Sequence, residues 1–222
     1  MPRPARPISL ADTKKRATFW FDTETTGVNP ETCAMIQLGG LIEIGGRIKD
    51  KINIRMRPFF GAEIRTKALS VNKTTRDQID AYPPWEEGFE KLEKTLGKHI
   101  DMYDPTDKLV IAGYNVDFDI NFLRKYFDYY HGDKTNMKFI SYFGSWFFWP
   151  SIDVKNEVAK QVQAGYLRLK NYKLSTICGH YGVKLDAHDA LNDIKATREL
   201  YHVLMDKNRK TATLYHESNW KE

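Results

Sequence analysis

The sequence predicts an α/β domain built on a mixed β-sheet with helices on both sides. Three strand-like segments follow one another near the start of the chain, and two shorter ones alternate with amphipathic helices further on. Strands joined by tight turns pair antiparallel, whereas strands separated by a helix can pair parallel. We therefore expect a three-strand antiparallel meander that is extended by parallel strands.

The meander is predicted from apolar patterning and from one turn. Residues 17–22 are apolar and aromatic, and residues 34–44 form a second apolar run. Gly45-Gly46 follows where a two-residue hairpin turn belongs. Residues 47–57 then alternate between apolar and polar side chains, which indicates a half-exposed third strand.

The rest of the chain shows the three-to-four spacing of apolar residues that is typical of amphipathic helices. Residues 61–82 are expected to form short helices and turns, and residues 131–145 are turn-rich and give no assignment. The other predicted elements are helices over 85–100, 117–130, 153–163, 173–181 and 190–207, and strands over 109–114 and 146–152. Beyond residue 207 we expect a loose polar tail, 208–222, so that the folded domain covers residues 17–207.

Composition indicates an ordinary globular protein, with 41% hydrophobic and 28% charged residues. The two cysteines, Cys33 and Cys178, lack metal-type spacing and are expected to be buried thiols in a reducing compartment. We find no apolar run long enough to cross a bilayer and no secretion signal, which predicts a cytoplasmic protein without a membrane partner.

The net charge of +5 favours a nucleic-acid partner, but it is unevenly distributed. Residues 1–16 hold five basic residues against one acidic residue, a net of +4, which leaves +1 for the remainder. We interpret residues 1–16 as a flexible basic arm, which either contacts phosphates or is simply solvated. Any electropositive path on the domain itself must come from segregated charges.

Two acidic residues end the first predicted strand, within Phe-Asp22-Thr-Glu24-Thr. Residues two apart in a strand face the same side, so Asp22 and Glu24 are expected to project together. Their repulsion would be relieved by a divalent cation, and oxygen ligands suit Mg²⁺ and Mn²⁺. Taken alone, the pair is also compatible with a strand that ends in a solvated turn.

Further acids occur where other predicted elements meet. The strand over 109–114 leads into a helix start that carries Asp117 and Asp119, and either could approach the first pair. Asp117 also suits a helix N-terminus. Near the end of the chain, His188 and Asp193 are five apart, about 140° of rotation on a helix. If both serve one site, His188 must lie in the loop before that helix.

Three motifs in this order resemble those of the DEDDh, or DnaQ-like, 3′→5′ exonucleases. They are Asp22-Thr-Glu24, Asn115-x-x-Phe-Asp119 and His188-x-x-x-x-Asp193, and the resemblance spans about residues 17–206. It implies a ribonuclease H-like fold and selects Asp119 rather than Asp117. One departure is Tyr114, where relatives often have histidine.

The resemblance also implies a mechanism and a set of roles. Asp22, Glu24, Asp119 and Asp193 would hold two divalent metal ions, Mg²⁺ or Mn²⁺, and His188 would be the general base. The expected substrate contacts come from Thr25, Thr26, Gly27 and Asn115.

The implied reaction is hydrolysis from the 3′ end of DNA with release of nucleoside monophosphates. An exoribonuclease of the ribonuclease T or oligoribonuclease type is the alternative, followed by a catalytically silent accessory subunit of a polymerase. The expected partners are nucleic acid with a 3′ end, DNA before RNA, and a polymerase or another replication or repair protein.

The run Trp146-Phe-Phe-Trp149 has two interpretations. Its rings could stack on bases, or alternate members could fill the core beneath a strand. The second interpretation is preferred, and stacking would require exposed rings near the metal site.

Overall fold

The fold is described from a computed structural model that covers residues 17–135 and 142–219, with side chains for 17–131 and 142–206. The proposed basic arm and residues 139–141 of the aromatic segment lie outside these ranges. The strands are β1 (Ala17–Thr25), β2 (Met35–Ile44), β3 (Arg47–Arg55), β4 (Leu109–Gly113) and β5 (Phe147–Asp153). The helices are α1 (Thr66–Val71), α2 (Arg76–Asp80), α3 (Trp85–Leu96), α4 (Val116–Thr135), α5 (Phe143–Trp146), α6 (Val154–Gln163), α7 (Leu174–Tyr181) and α8 (Ala190–Asn219).

The five strands form one mixed sheet in the order β3-β2-β1-β4-β5. Antiparallel pairing joins β1 to β2 and β2 to β3, while β1–β4 and β4–β5 are parallel. The predicted fold class is therefore confirmed, including the antiparallel meander. The central strand is β1, and its carboxyl end carries Asp22 and Glu24.

Helices cover both faces of the sheet, as the alternation of side chains along β1 requires. Phe19 and Phe21 face a core that also contains the apolar side chains of α3 and α4. Trp20 faces the other way, into a core formed with α6, α7 and α8. Asp22 and Glu24 have the same parity as Trp20 and so lie on the α8 side.

Several predicted boundaries differ from the structure: α3 ends at Leu96 rather than at residue 100, and β1 runs to Thr25 rather than ending at residue 22. Helix α4 continues to Thr135, and α8 continues to Asn219 rather than ending at residue 207, so most of the predicted loose tail is helical. The apolar pattern stops near residue 207, but each added helical residue gains a backbone hydrogen bond without a new nucleation cost. A prediction based on the polarity of the sequence alone therefore ends α8 too early.

The aromatic run is divided by a change of secondary structure. Trp146 ends α5 and Phe147 begins β5, and both are buried. They are adjacent residues, so the prediction that alternate members fill the core was wrong in detail. Trp149 is 64% exposed. Both cysteines are buried free thiols, as predicted.

Candidate active site

Three carboxylates meet on one side of the carboxyl end of β1. Asp22 and Glu24 project from the strand, and Asp193 reaches them from the first turn of α8. One oxygen from each of these side chains lies within 4.8 Å of the others. This separation allows a single cation to contact all three.

The fourth acid, Asp119, arrives from the opposite helical layer. It lies in the first turn of α4 and is 3% exposed, whereas Asp117 is exposed. The Oδ1 atom of Asp119 accepts hydrogen bonds from the backbone N–H of Thr23 at 2.9 Å and from its hydroxyl at 2.6 Å. These two bonds hold Asp119 against β1, close enough to repel the charge of Asp22. The choice of Asp119 over Asp117 agrees with this geometry.

A glycine on β2 allows α8 to reach the acids. Gly39 pairs with Asp22 across the β1–β2 ladder. A Cβ at this position would lie 2.2 Å from the backbone nitrogen of Leu191 and 2.3 Å from the carbonyl carbon of Ala190. The start of α8 therefore rests directly on the strand backbone, which brings Asp193 to the level of Asp22.

His188 lies in the loop before α8, as the five-residue spacing predicts. Its side chain is exposed, its φ is 74°, and its backbone N–H donates to Oδ2 of Asp193 at 3.3 Å. The next residue, Asp189, accepts from the backbone N–H of Asn192 at 3.1 Å and so caps α8. Its other oxygen accepts from Nε2 of Gln37 at 3.1 Å. Asp189 and Gln37 thus fix this loop to β2.

Burial raises the pKa of each of the four acids, and their mutual repulsion adds to the effect at Asp22 and Glu24. The pKa of Glu24 rises to about 8. Among the described residues, no lysine or arginine forms an ion pair with any of the four. Oδ1 of Asp193 is also buried without a hydrogen-bond partner. Oxygen donors with uncompensated charge fit hard divalent cations.

A cavity of about 460 Å³ opens beside Glu24, within the range of roughly 300–1,000 Å³ for small-molecule sites. Apolar side chains of Val28, Val71 and Phe118 line it, and Arg65 and Lys67 lie at its boundary. Its mixed apolar and cationic lining suits a nucleotide, with a flat base and an anionic phosphate.

The four residues expected to contact substrate are placed differently from one another. Thr25 and Gly27 line the cavity. Thr26 is fully buried, and its backbone N–H and its hydroxyl donate to the carbonyl oxygens of Ala34 and Glu63, so the geometry does not support a contact by Thr26. Asn115 is exposed at the β4–α4 turn and does not line the cavity.

Sequence reasoning missed the residues that support the site rather than form it. These are Gly39, Gln37 and Asp189. A Gly39-Gly40 pair inside a strand is a signal of close backbone approach, and it was available in the sequence. Nothing in the sequence marks Gln37, because its partner Asp189 is 152 positions away.

The exonuclease family model matches residues 19–201 of the chain. This chain belongs to the exonuclease family. It is a DnaQ-like exonuclease of the DEDDh group, whose members are metal-dependent 3′→5′ exonucleases that hydrolyse phosphodiester bonds. The predicted family, fold and enzyme class are confirmed.

Curated relatives of this exonuclease include bacterial DNA polymerase III proteins. The DNA polymerase III subunit epsilon of Aquifex aeolicus is 26% identical over 188 residues, covering 84% of this chain and 79% of that protein. The PolC-type DNA polymerase III of Bacillus cereus is 26% identical over 178 residues, 80% of this chain. The chain spans about 10% of the length of that polymerase.

Solved structures show the same fold at low identity. Exonuclease I of E. coli in complex with a dT13 oligonucleotide superposes with a TM-score of 0.65 at 15% identity, over 90% of this chain and 43% of that one. The nuclease domain of 3′hExo bound to rAMP superposes with a TM-score of 0.61 at 16% identity, over 89% of this chain and 94% of that one. None of the helices in the described ranges has the length and apolarity needed to span a membrane.

Proposed function

We propose that this exonuclease removes nucleoside monophosphates from the 3′ end of DNA with the help of two divalent ions, Mg²⁺ or Mn²⁺. The observation that carries the proposal is the convergence of Asp22, Glu24 and Asp193, with Asp119 and His188 adjacent to them and a nucleotide-sized cavity beside Glu24. A silent accessory subunit would not need this complete set.

In this proposal the four acids would divide between two cation positions. Asp22, Glu24 and Asp193 would hold one ion, and Asp22 with Asp119 the second. When bound, such ions stabilise the charge on the attacking and leaving oxygens of the phosphodiester. The hydrogen bonds from Thr23 hold one oxygen of Asp119, which fixes the direction of its carboxylate.

His188 would act as the general base that takes a proton from the attacking water. Its exposed position, next to Asp193 but outside the carboxylate cluster, allows it to reach that water without replacing an acid. The terminal nucleoside would occupy the cavity of Val28, Val71 and Phe118. The hydroxyl of Thr25 donates to the carbonyl of Gly27 at 2.6 Å, and the amide of Asn72 donates to the carbonyl of Thr25 at 2.9 Å. These bonds keep the cavity edge rigid.

DNA is proposed as the substrate because the curated relatives named above are DNA polymerase III proteins. The same relatives support a polymerase as a partner. RNA is the competing substrate, since 3′hExo shares the fold and was solved with rAMP. Discrimination between the two rests on contacts to a single 2′-hydroxyl.

The test is a degradation assay on 5′-end-labelled single strands of DNA and RNA with Mg²⁺ or Mn²⁺. The expected result is stepwise shortening of DNA from its 3′ end and no shortening of a 3′-blocked strand. His188→Ala should reduce turnover by roughly 10²–10⁴-fold while Mn²⁺ binding is retained. Faster degradation of RNA would transfer the proposal to an exoribonuclease, and near wild-type turnover of His188→Ala would remove the assigned base.

A further inference from the structure

The direction in which the remaining strand leaves the site follows from the position of His188. The loop that carries His188 is held on the β2–β3 side of Asp22, because Asp189 contacts Gln37 and lies 3.9 Å from Arg55. In an in-line displacement, the attacking and leaving oxygens lie on opposite sides of the phosphorus. If the proposed function is correct, the leaving oxygen and the strand attached to it lie on the β4–β5 side.

A large groove lies on that side. It has a volume of about 1,060 Å³, and we call it the β5 groove. Its lining includes Asp117 from the first turn of α4, Trp149 and Asp153 from β5, Lys160 from α6, and Tyr172. Asp153 pairs with Gly113 at the carboxyl end of β4, so the groove opens at the same edge of the sheet as the acids.

The β5 groove presents two exposed aromatic rings. Trp149 is 64% exposed and Tyr172 is 40% exposed. The hydroxyl of Tyr114 donates to the backbone carbonyl of Tyr172 at 2.5 Å, which fixes Tyr172 beside the end of β4. Exposed rings of this kind stack on successive bases with little regard to sequence.

Cations lie on the loop that carries Tyr172. Residues 164–173 include Arg168, Lys170 and Lys173, all exposed, and no acidic residue. Within the described part of the chain, none of the three forms an ion pair. Because the domain is nearly neutral overall, contact with a nucleic-acid phosphate backbone requires positive charge that is concentrated in one place, and this loop provides it.

The acids of the groove are largely compensated. Asp153 accepts the backbone N–H groups of Asn115 and Lys155, both at 2.9 Å. Glu157 pairs with Lys160 at 2.8 Å. Asp117 remains as an exposed acid. The ammonium of Lys155 donates to the side-chain oxygen of Asn115 at 2.9 Å, at the turn that leads to Asp119.

We propose that the β5 groove binds the single-stranded segment on the 5′ side of the scissile bond. Its bases stack on Trp149 and Tyr172, and its phosphates lie beside Arg168, Lys170 and Lys173. Asn115 and Lys155 lie where the nucleic-acid strand would pass from the groove to the acids. The predicted contact of Asn115 with substrate would then be made with this part of the strand and not with the terminal nucleotide.

The test compares two substrates that differ only in the strand beyond the scissile bond. One is a 12-nucleotide single strand of DNA, and the other is the 4-nitrophenyl ester of thymidine 5′-phosphate, which has a terminal nucleotide and no further strand. The measured quantity is the ratio of kcat/KM for the 12-mer to kcat/KM for the ester. Trp149→Ala and Tyr172→Ala should each lower this ratio about tenfold, and Trp149→Phe should restore most of it.

Two further variants sharpen the result. Tyr103→Ala removes an exposed tyrosine in the loop before β4 and should leave the ratio at the wild-type value. The double change Lys170→Glu and Lys173→Glu should reduce the salt dependence of kcat/KM for the 12-mer, by about 0.7 in log–log slope for each lost phosphate contact.

The inference fails if the ratio is unchanged in both aromatic variants, as it would be if the groove held a protein segment instead. It also fails if both substrates lose activity equally, which would indicate a structural role. Failure of the proposed function is separate, because the wild-type protein would then hydrolyse neither substrate.

Discussion

Replacing Gly39 with alanine should disable the site without touching any acid. The new Cβ would lie 2.2 Å from a backbone nitrogen and 2.3 Å from a backbone carbon of α8. Backbone atoms cannot rotate aside, so the helix start must move by about 1 Å to restore ordinary contact. Asp193, three residues after Ala190, moves with it. The overpacking should cost about 1–3 kcal/mol of stability, and a displacement of about 1 Å should cost roughly 10²-fold in turnover.

The assay pairs steady-state hydrolysis with urea denaturation and Mn²⁺ titration. Gly40→Ala is the matched control, because its Cβ would meet the ring of Phe19 at 2.6 Å in the core on the other side of the sheet. It should lose stability but keep most of its Mn²⁺ affinity. Gly179→Ala, in α7 with open space around it, should retain activity and gain about 0.5–1 kcal/mol. Wild-type turnover and Mn²⁺ affinity in Gly39→Ala would refute the reasoning.

Three other predictions follow from buried groups. The pKa of Glu24 is raised from 4.5 to about 8, so between these values the folded metal-free protein holds a proton that the unfolded chain releases. Its stability should therefore fall from pH 5 to pH 8 in EDTA, and Mn²⁺ should reverse the fall; denaturation midpoints that rise over this range would contradict the assignment. Thr23→Val removes a hydrogen bond that lowers the pKa of Asp119. The Mn²⁺ affinity measured by calorimetry should therefore drop at pH 7 and recover partly at pH 8.5. An equal loss of affinity at both pH values would show that the pKa of Asp119 is not the cause. Phe147→Ala should cost about 3–5 kcal/mol in urea denaturation and Trp149→Ala less than about 0.5, and similar losses in both would show that Trp149 also belongs to the core.

The acids of the candidate site were predictable because each lies at a recognisable junction between elements. Asp22 and Glu24 lie at the end of the apolar strand β1, and Asp119 lies in the first turn of the helix that follows strand β4. His188 lies in a loop, and Asp193 lies in the first turn of the helix after that loop. The alternation of side chains along a strand and their rotation around a helix then predict the direction in which each side chain points. The prediction that His188 precedes α8 came from that geometry alone, and the structure confirms its position.

The missed features depend on contacts between distant parts of the chain. Thr26 was expected at the substrate, but its N–H and hydroxyl are used to hold the segment after β1 to Ala34 and Glu63. The end of α8 was placed too early because a polar helix extension has no apolar stripe to reveal it. The anchoring of Asp189 by Gln37 depends on how α8 docks on β2, which local patterns do not encode.

The two helical layers contribute acids from opposite faces of the sheet, and Asp22 and Asp193 are 171 positions apart in the chain. A half-made or half-folded molecule has β1 without α8, and so has the first ligands without the last. Under the proposed function, phosphodiester hydrolysis therefore begins only once α8 has docked, and an incomplete or partly folded chain is expected to be inactive.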